Sequence, residues 1–252
     1  MLEEDVERAA LRLMSVDAEL PLHLPDFKYS EEILDRAAEN TINKKDEEGN
    51  PRFVAFDHFG SNSIDTILGL VDEMASAGCN YIFLDHISIV VSDQQNLDER
   101  KALDEIATKL RTKVQEKDIG LFIVSHLRRT NAKPHEEGGQ TSLQDIRGTQ
   151  AVAQLSDLVL GLERNGQSED EVERNTTKVR VLKNRFSGLT GLTSLLYYDR
   201  VTGRLREIPT DVEGNPTEDK PVFDNSNVAN IVEKQNPEIK PVDWEDGDEL
   251  PF

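Results

Sequence analysis

Two short apolar segments on either side of one amphipathic helix constrain the fold of this chain more than any other feature. The segments are YIFLD (81–85) and LFIVSH (121–126), and the helix between them is predicted over 97–118. Its apolar residues recur at spacings of three and four: Leu103, Ile106, Leu110 and Val114. Strands and helices in this order are typical of βαβ units with parallel strands. We therefore predict an α/β fold with a mostly parallel sheet and helices on both faces.

The flanking sequence extends this pattern and then changes it. Further helices are predicted at 3–15, 30–40 and 63–78, and FVAFD (53–57) is predicted as another strand. Later apolar segments follow one another without helices between them, at 157–164, 177–185 and 193–199. Segments joined by short loops are typical of antiparallel strands, so we expect them to extend the sheet at one edge.

The last part of the chain differs in composition. Residues 207–252 contain thirteen acidic and three basic residues, which is half of the excess behind the net charge of −20. We therefore predict a folded domain at 1–206 and a disordered acidic tail at 207–252. Because the excess is concentrated in the tail, the overall charge argues only weakly against a nucleic-acid partner.

The cysteine content and the distribution of apolar residues predict the compartment in which the protein works. The single cysteine, Cys79, excludes an internal disulfide framework and suits a reducing compartment. No apolar run is long enough for a transmembrane helix, and the acidic start does not resemble a signal peptide. We expect a protein of the cytoplasm without a membrane partner.

Asp85 and His126 follow the two apolar segments directly. Ligands of parallel α/β sheets bind at the carboxyl ends of the strands, and an acid in this position can hold Mg²⁺ against nucleotide phosphates, as in a Walker B motif. A histidine at the end of the next strand can contact the γ-phosphate. The simpler interpretations are a helix cap or turn for Asp85 and a loop-bonded histidine for His126.

Basic side chains occur at two further places. Lys183 and Arg185 are two residues apart near the end of a predicted strand, where they could stabilise transition-state charge within one subunit or from a neighbour. Arg128, Lys133 and Arg147 make the middle loops basic, which suits a phosphate backbone. Solvated surface positions remain the alternative for all of these residues.

One expected motif is missing. None of the 15 glycines is followed by lysine, so the sequence has no G-x-x-x-x-G-K-[ST] phosphate loop. A nucleotide site built only from these residues would lack the segment that cradles the phosphates.

Ten motifs resemble, in the same order, the ring helicases of the DnaB/RecA-like superfamily, and most closely the phage helicase–primase proteins and their mitochondrial relative Twinkle. They are MLEEDVE, LDHISIVVS with DERK, SHL, HEEGG, DIRG, QLSD, LERN, LKNRFSGLTG and YYDRVTG. The resemblance covers about residues 1–206. It implies a RecA-like core that lacks its Walker A part.

The resemblance also implies individual roles. Glu3 matches the residue that activates water, Asp85 the Mg²⁺ ligand, and His126 the γ-phosphate sensor. Arg185, with Lys183 beside it, matches the arginine finger given to the neighbouring subunit. The remaining positions fall into two sets. Residues near the nucleotide are Gln154, Arg164 and Tyr198. DNA contacts on the channel loops (127–135 and 143–149) are Arg128, Lys133 and Arg147.

The function implied is that of the C-terminal portion of a replicative helicase from a phage-infected bacterium. Such an enzyme uses ATP or dTTP with Mg²⁺ to translocate 5'–3' on single-stranded DNA, as a homo-hexamer or a ring completed by a Walker A-bearing chain. Alone, the chain is expected to be inactive and prone to aggregate through an exposed apolar sheet surface. The alternatives are a fragment that does not hydrolyse nucleotide and docks the replicative polymerase through its acidic tail, and, less well matched, a RecA-type recombinase.

Overall fold

A computed structural model describes residues 5–25, 27–56, 63–87, 99–129, 133–146, 150–200, 203–210 and 216–217. Glu3, Arg147 and nearly all of the acidic tail lie outside these ranges, as does part of each channel loop. Within the described ranges, no helix combines the length and the apolar character needed to cross a bilayer.

Four longer helices form where the apolar periodicity predicts them: α1 (Val6–Ala18), α2 (Glu31–Asn40), α3 (Ile64–Ser76) and α4 (Glu99–Lys117). Capping fixes two of the starts, since the side chains of Asp5 and Ser63 accept hydrogen bonds from backbone N–H groups in the first turns of α1 and α3. The first two helices pack on each other around Met14, Leu20 and Leu22.

The predicted βαβ unit is present. Strands β1 (Tyr81–Leu84) and β2 (Gly120–Ile123) are parallel, with α4 between them in sequence. Ile82 on β1 and Leu103, Ile106 and Leu110 on α4 are buried in one apolar cluster that also includes α3. Their burial fixes the positions of both strand ends.

The opposite face of this strand pair differs from the prediction. Tyr81, Phe83, Phe122 and Val124 are between 50% and 74% exposed. Phe83 and Phe122 stack at 4.6 Å with an interplanar angle of 11°. We call these four residues the apolar face. Helices were expected on both sides of the sheet, but no described element covers this one.

The antiparallel segment also departs from expectation. Strands β3 (Leu158–Glu163), β4 (Thr176–Asn184), β5 (Gly191–Tyr198) and β6 (Leu205–Ile208) form a sheet in the order β3-β4-β5-β6. Among the described residues it shares no backbone pairing with β1–β2, so it is a separate sheet and not an extension. Strand β6 crosses the predicted domain boundary at 206/207. Residues 53–56 of the predicted strand FVAFD are irregular, and Asp57 is outside the described ranges.

Shorter helices complete the fold. A 3-10 turn (Leu143–Asp145), α5 (Gln150–Leu155) and α6 (Glu171–Asn175) link the strands. Val152 of α5 joins the core around α4, which places the start of β3 beside that helix.

Candidate functional site

Asp85 and His126 lie at the same edge of the parallel strand pair. Leu84 pairs with Ile123, and the pairing continues through hydrogen bonds from Val124 N–H to Leu84 O (3.0 Å) and from Ile87 N–H to Val124 O (3.2 Å). Asp85 is half-buried, whereas His126 is exposed. Both residues therefore follow strand ends that point the same way, as ligand-binding residues of parallel sheets do.

His86 forms the contact between the two strand ends. Its ring is buried, with 7% exposed, and lies 4.2 Å from the ring of His126 in an edge-to-face arrangement. Sequence reasoning missed this residue, although its position directly after Asp85 was a usable signal.

Asp85 fits one kind of metal site. Mg²⁺ is commonly held by one or two carboxylates together with substrate phosphates and water, and an accessible carboxylate at a strand end suits that role. Over the described part of the chain, no group of three or more His, Cys, Asp or Glu side chains could hold a metal. The accessible carboxylate of Asp85 thus suits a metal that arrives with a nucleotide and keeps water ligands.

Lys183 and Arg185 converge on the end of α5. The Lys183 amino group donates to the carbonyls of Ala153 and Gln154, both at 2.7 Å, and the Arg185 guanidinium donates to the Gln154 carbonyl at 2.8 Å. Cations suit this position because the last carbonyls of a helix have no partners within the helix. The structure thus brings three predicted residues together, although Gln154 contributes its backbone carbonyl.

Asp157 joins this group from the start of β3. Its carboxylate pairs with Arg185 (3.0 Å) and with Arg111 of α4 (2.6 Å). The hydrogen bond from Arg111 is the main reason that the pKa of Asp157 lies below its ordinary value. Burial, followed by the nearby Arg185, lowers the pKa of Lys183.

The predicted channel loops are paired at their bases. Leu127 bridges Ile146, and Arg128 donates its backbone N–H to Asp145 O (2.7 Å) and its guanidinium to Ile146 O (3.2 Å). Arg128 and Lys133 are both exposed. Lys133 is close enough to Glu173 to help lower the pKa of that carboxylate, after the larger effects of hydrogen bonds from Ser168 and Asn165.

Arg164 and Tyr198 occupy one end of the antiparallel sheet. Glu163 pairs with Lys178 on β4, and Lys178 pairs with Leu195 on β5, so the ends of β3 and β5 lie on either side of β4. Adjacent strands are about 4.8 Å apart, which separates β3 from β5 by about 10 Å.

A buried ion pair was not predicted. Glu163, 3% exposed, accepts hydrogen bonds from Arg180 Nε (2.7 Å) and from the N–H and hydroxyl of Thr141 (both 2.9 Å). Burial on its own would raise the pKa of Glu163, but the bonds from Arg180 and Thr141 outweigh it and lower the pKa. An acid and a base within the apolar strands LVLGLE and TTKVRVLKN were the available signal.

Comparison with known proteins assigns this architecture to a class. The model of the DnaB-like helicase C-terminal domain matches residues 1–204. The chain therefore belongs to the DnaB-like helicase C-terminal domain family, as the order of its motifs predicts.

Individual relatives agree with this assignment. The chain is 37% identical over 210 residues to the DNA helicase/primase of Enterobacteria phage T3, covering 81% of this chain and 36% of the relative. It is 24% identical over 146 residues to a probable plasmid replicative DNA helicase of Chlamydia psittaci, covering 57% and 31%. The chain thus spans about a third of the length of these curated relatives.

Solved structures show the same fold. One of them, described as an ATPase domain, has a TM-score of 0.62 at 19% identity, covering 81% of this chain and 71% of that one. A DnaB-like replicative helicase, solved in a study of its interactions with primase, has a TM-score of 0.63 at 18% identity, covering 81% and 49%. The RecA-like fold class predicted from the sequence is consistent with both.

Proposed function

We propose that this chain is the C-terminal portion of a replicative DNA helicase that uses ATP or dTTP to translocate 5'–3' on single-stranded DNA. The placement of Asp85 and His126 at one edge of the parallel strand pair carries this proposal. Family membership supports it, because the matched domain is that of DnaB-like helicases. We place its activity in the cytoplasm of a phage-infected bacterium.

Nucleotide chemistry would take place at this edge. Asp85 would hold Mg²⁺, which when bound supplies positive charge to the phosphate oxygens. His126, which is exposed and contacts the buried His86, would donate a hydrogen bond to the terminal phosphate. Glu3 is assigned to orient the attacking water on the basis of its sequence match alone.

Arg185 is assigned as the finger that serves a neighbouring subunit. Its side chain is 45% exposed, and its own partners are the Gln154 carbonyl and Asp157. Exposed ion pairs contribute about 0.2–1 kcal/mol, so the energy of phosphate contacts is sufficient to draw Arg185 away. Lys183, which is less exposed, would keep the end of α5 in place meanwhile.

DNA is assigned to the paired channel loops. Arg128, Lys133 and Arg147 provide the cations, and neutralising phosphates in this way gives binding that depends on salt but not on sequence. At the far end of the antiparallel sheet, Arg164 and Tyr198 would hold the nucleotide base.

The apolar face indicates how the site is completed. Four large side chains at 50–74% exposure form a contiguous surface next to the candidate nucleotide edge. Exposed apolar surfaces of this kind are typical of sites where another element packs. We infer that a Walker A-bearing segment covers the apolar face and brings the phosphate loop to Asp85, within a hexameric ring.

Reconstitution tests this proposal. The full chain is mixed with a separately expressed segment that carries the phosphate loop of a DnaB-like relative, and hydrolysis of ATP and dTTP is measured with and without oligo(dT). We expect hydrolysis that requires both polypeptides and Mg²⁺ and that increases with oligo(dT).

Two variants make the test specific. Arg185→Ala should abolish hydrolysis while nucleotide binding persists, because the finger acts on the neighbour's transition state. Lys113→Ala removes a different partly exposed cation, one that pairs with Asp72 of α3, and it should hydrolyse normally. Normal hydrolysis by Arg185→Ala would show that the finger is another residue.

A second candidate function is docking of the replicative polymerase without hydrolysis. It is favoured by the composition of the tail, where acidic residues surround Trp244 and Phe252 is the last residue. Acidic segments with isolated aromatic residues suit basic partner surfaces that have apolar pockets. Removal of residues 243–252 should abolish polymerase binding in a pull-down assay, and unchanged binding would eliminate this role.

A further inference from the structure

A buried carboxylate that none of the proposed roles uses lies where three segments meet. Glu163 ends β3, and its two oxygens accept hydrogen bonds from Arg180 on β4 and from Thr141 in the polar segment that follows Lys133. Only 3% of Glu163 is exposed. Charge-assisted hydrogen bonds at such a position are strong, and removing one partner leaves a costly buried group.

The polar segment fits closely against β3. A Cβ atom on Gly161 of β3 would overlap the Thr141 hydroxyl, so the two backbones approach closely at this point. Just beyond β3, Gly166 N–H bonds Glu136 O at 3.0 Å. The segment 133–142 is therefore held along the strand and does not extend from it.

From Thr141, the chain leads directly to the candidate DNA contacts. Ser142 and Asp145 form a reciprocal capping box around the 3-10 turn. The next residue, Ile146, bridges Leu127 and accepts the Arg128 guanidinium. Fixing Thr141 thus also fixes the shared base of the two channel loops.

From Arg180, the connection leads to the candidate finger. Arg180 lies on β4, the strand that ends in Lys183 and Asn184 and continues into Arg185. The register of β4 with β5 shifts between Val179 and Arg180, and the extra residue, Thr193, lies on β5. Across the other edge of β4, Glu163 pairs with Lys178, so Arg180 is its diagonal neighbour, two residues along the strand and therefore on the same face.

We propose that Glu163 is a positioning residue that couples the DNA-facing loops to the strand carrying Arg185. The coupling rests on the proposed helicase function. Its physical route is a chain of short contacts: Arg128 to Ile146, the capping box to Thr141, Thr141 to Glu163, Glu163 to Arg180, and β4 to Arg185. Engagement of the loops by DNA would thereby be transmitted to the finger.

Amide hydrogen exchange of the full chain, read by mass spectrometry, tests the proposal. Glu163→Gln keeps the shape but replaces the charge that Arg180 requires. Thr141→Val removes the hydrogen bond from the Thr141 hydroxyl to Glu163 and leaves the Glu163–Arg180 pair intact. It therefore still tests the proposal if Glu163→Gln does not fold. Thr176→Val is the matched control, because it is the same substitution at the first residue of β4, where the hydroxyl bonds the backbone carbonyl of Val172 on α6 and not Glu163.

Two results are expected without DNA. Exchange at 139–146 should become about tenfold faster in Glu163→Gln and Thr141→Val, since a lost hydrogen bond to a charged group has about that effect. Thr176→Val should leave exchange at 139–146 unchanged. If exchange at 139–146 in both test variants equals that of the parent chain, Glu163 does not hold this segment in place, and the proposal is wrong.

The second measurement adds oligo(dT) together with the separately expressed phosphate-loop segment, for the parent chain and for each variant. In the parent chain and in Thr176→Val, binding should slow exchange at residues 183–185, and this protection should be lost in Glu163→Gln and reduced in Thr141→Val. If Glu163 only stabilised the fold, Glu163→Gln would change the exchange rates without DNA but would not change the protection of residues 183–185 by oligo(dT). Protection that persists in Glu163→Gln would overturn the coupling. If the parent chain does not bind oligo(dT), the proposed function and the coupling fail together, whereas the anchoring is still decided by the first measurement.

Discussion

The apolar face allows stability and assembly to be separated by one substitution, Phe83→Thr. Phe83 is 74% exposed, so only about a quarter of the 1.5–3 kcal/mol gained by full burial of a phenylalanine is realised, which is under about 1 kcal/mol. Loss of its stacking on Phe122 adds about 0.5–1.5 kcal/mol, and threonine retains a high strand propensity. We expect the free energy of unfolding to fall by about 1–2 kcal/mol in urea titrations.

Association with the proposed Walker A-bearing segment should respond more strongly. If that segment fully covers Phe83, binding buries the remaining three quarters of the side chain, so its loss removes about 1–2 kcal/mol of binding free energy, which corresponds to roughly 5- to 30-fold weaker association. Leu205→Thr changes another exposed strand residue, 55% exposed, away from the apolar face and should associate normally.

Leu103→Ala calibrates the stability assay. Leu103 is 0% exposed in the main core, where such truncations cost about 2–5 kcal/mol. If Phe83→Thr destabilises the isolated chain as much as Leu103→Ala does, the apolar face is already covered in the isolated chain. If Phe83→Thr leaves association unchanged, the phosphate-loop segment does not bind to the apolar face.

Three other outcomes are expected from the charges. The pKa of Glu163 is lowered in the folded state, so its stabilisation is fully present above the ordinary carboxyl pKa and is lost as the pH falls through the lowered value. Urea titrations from about pH 6 to 3 should therefore show a smaller loss of stability in Glu163→Gln than in the parent chain. Lys133→Ala should reduce the slope of log binding constant against log salt by about 0.7 on oligo(dT), as expected for one phosphate contact to a single strand, and an unchanged slope would remove Lys133 from the DNA contacts. Asp157→Asn should flatten the same acid titration, because the pKa of Asp157 is lowered mainly by Arg111; a profile that matches the parent chain would contradict that ion pair.

The parts of the fold that follow from local periodicity were predictable. The βαβ unit was predicted because α4 places apolar residues on one side and the two strands are almost wholly apolar. The adjacency of Asp85 and His126 followed from the general rule that parallel strands end at one edge. The roles of both residues remain predictions.

Features that depend on tertiary pairing were not predictable. FVAFD has the composition of a strand, but residues 53–56 are irregular, since strand propensity acts only where a neighbouring strand is available. The antiparallel strands were expected to extend the parallel pair but form a sheet of their own, because apolar patterns show where strands are and not which strands pair. The contacts of Glu163 were not predictable for a similar reason, because they join it to Thr141 and Arg180, which are 22 and 17 residues away in sequence.

The double ion pairing of Asp157 has a consequence for a ring in which Arg185 would bind the nucleotide of a neighbouring subunit. It binds two guanidinium groups, one on α4 and one just beyond β4, and only the second is the proposed finger for the next subunit. If Arg185 moves to that subunit as proposed, Arg111 still pairs with the Asp157 carboxylate, so no unpaired anion is left behind. Arg185 could then move out and return repeatedly without disturbing the core of its own subunit.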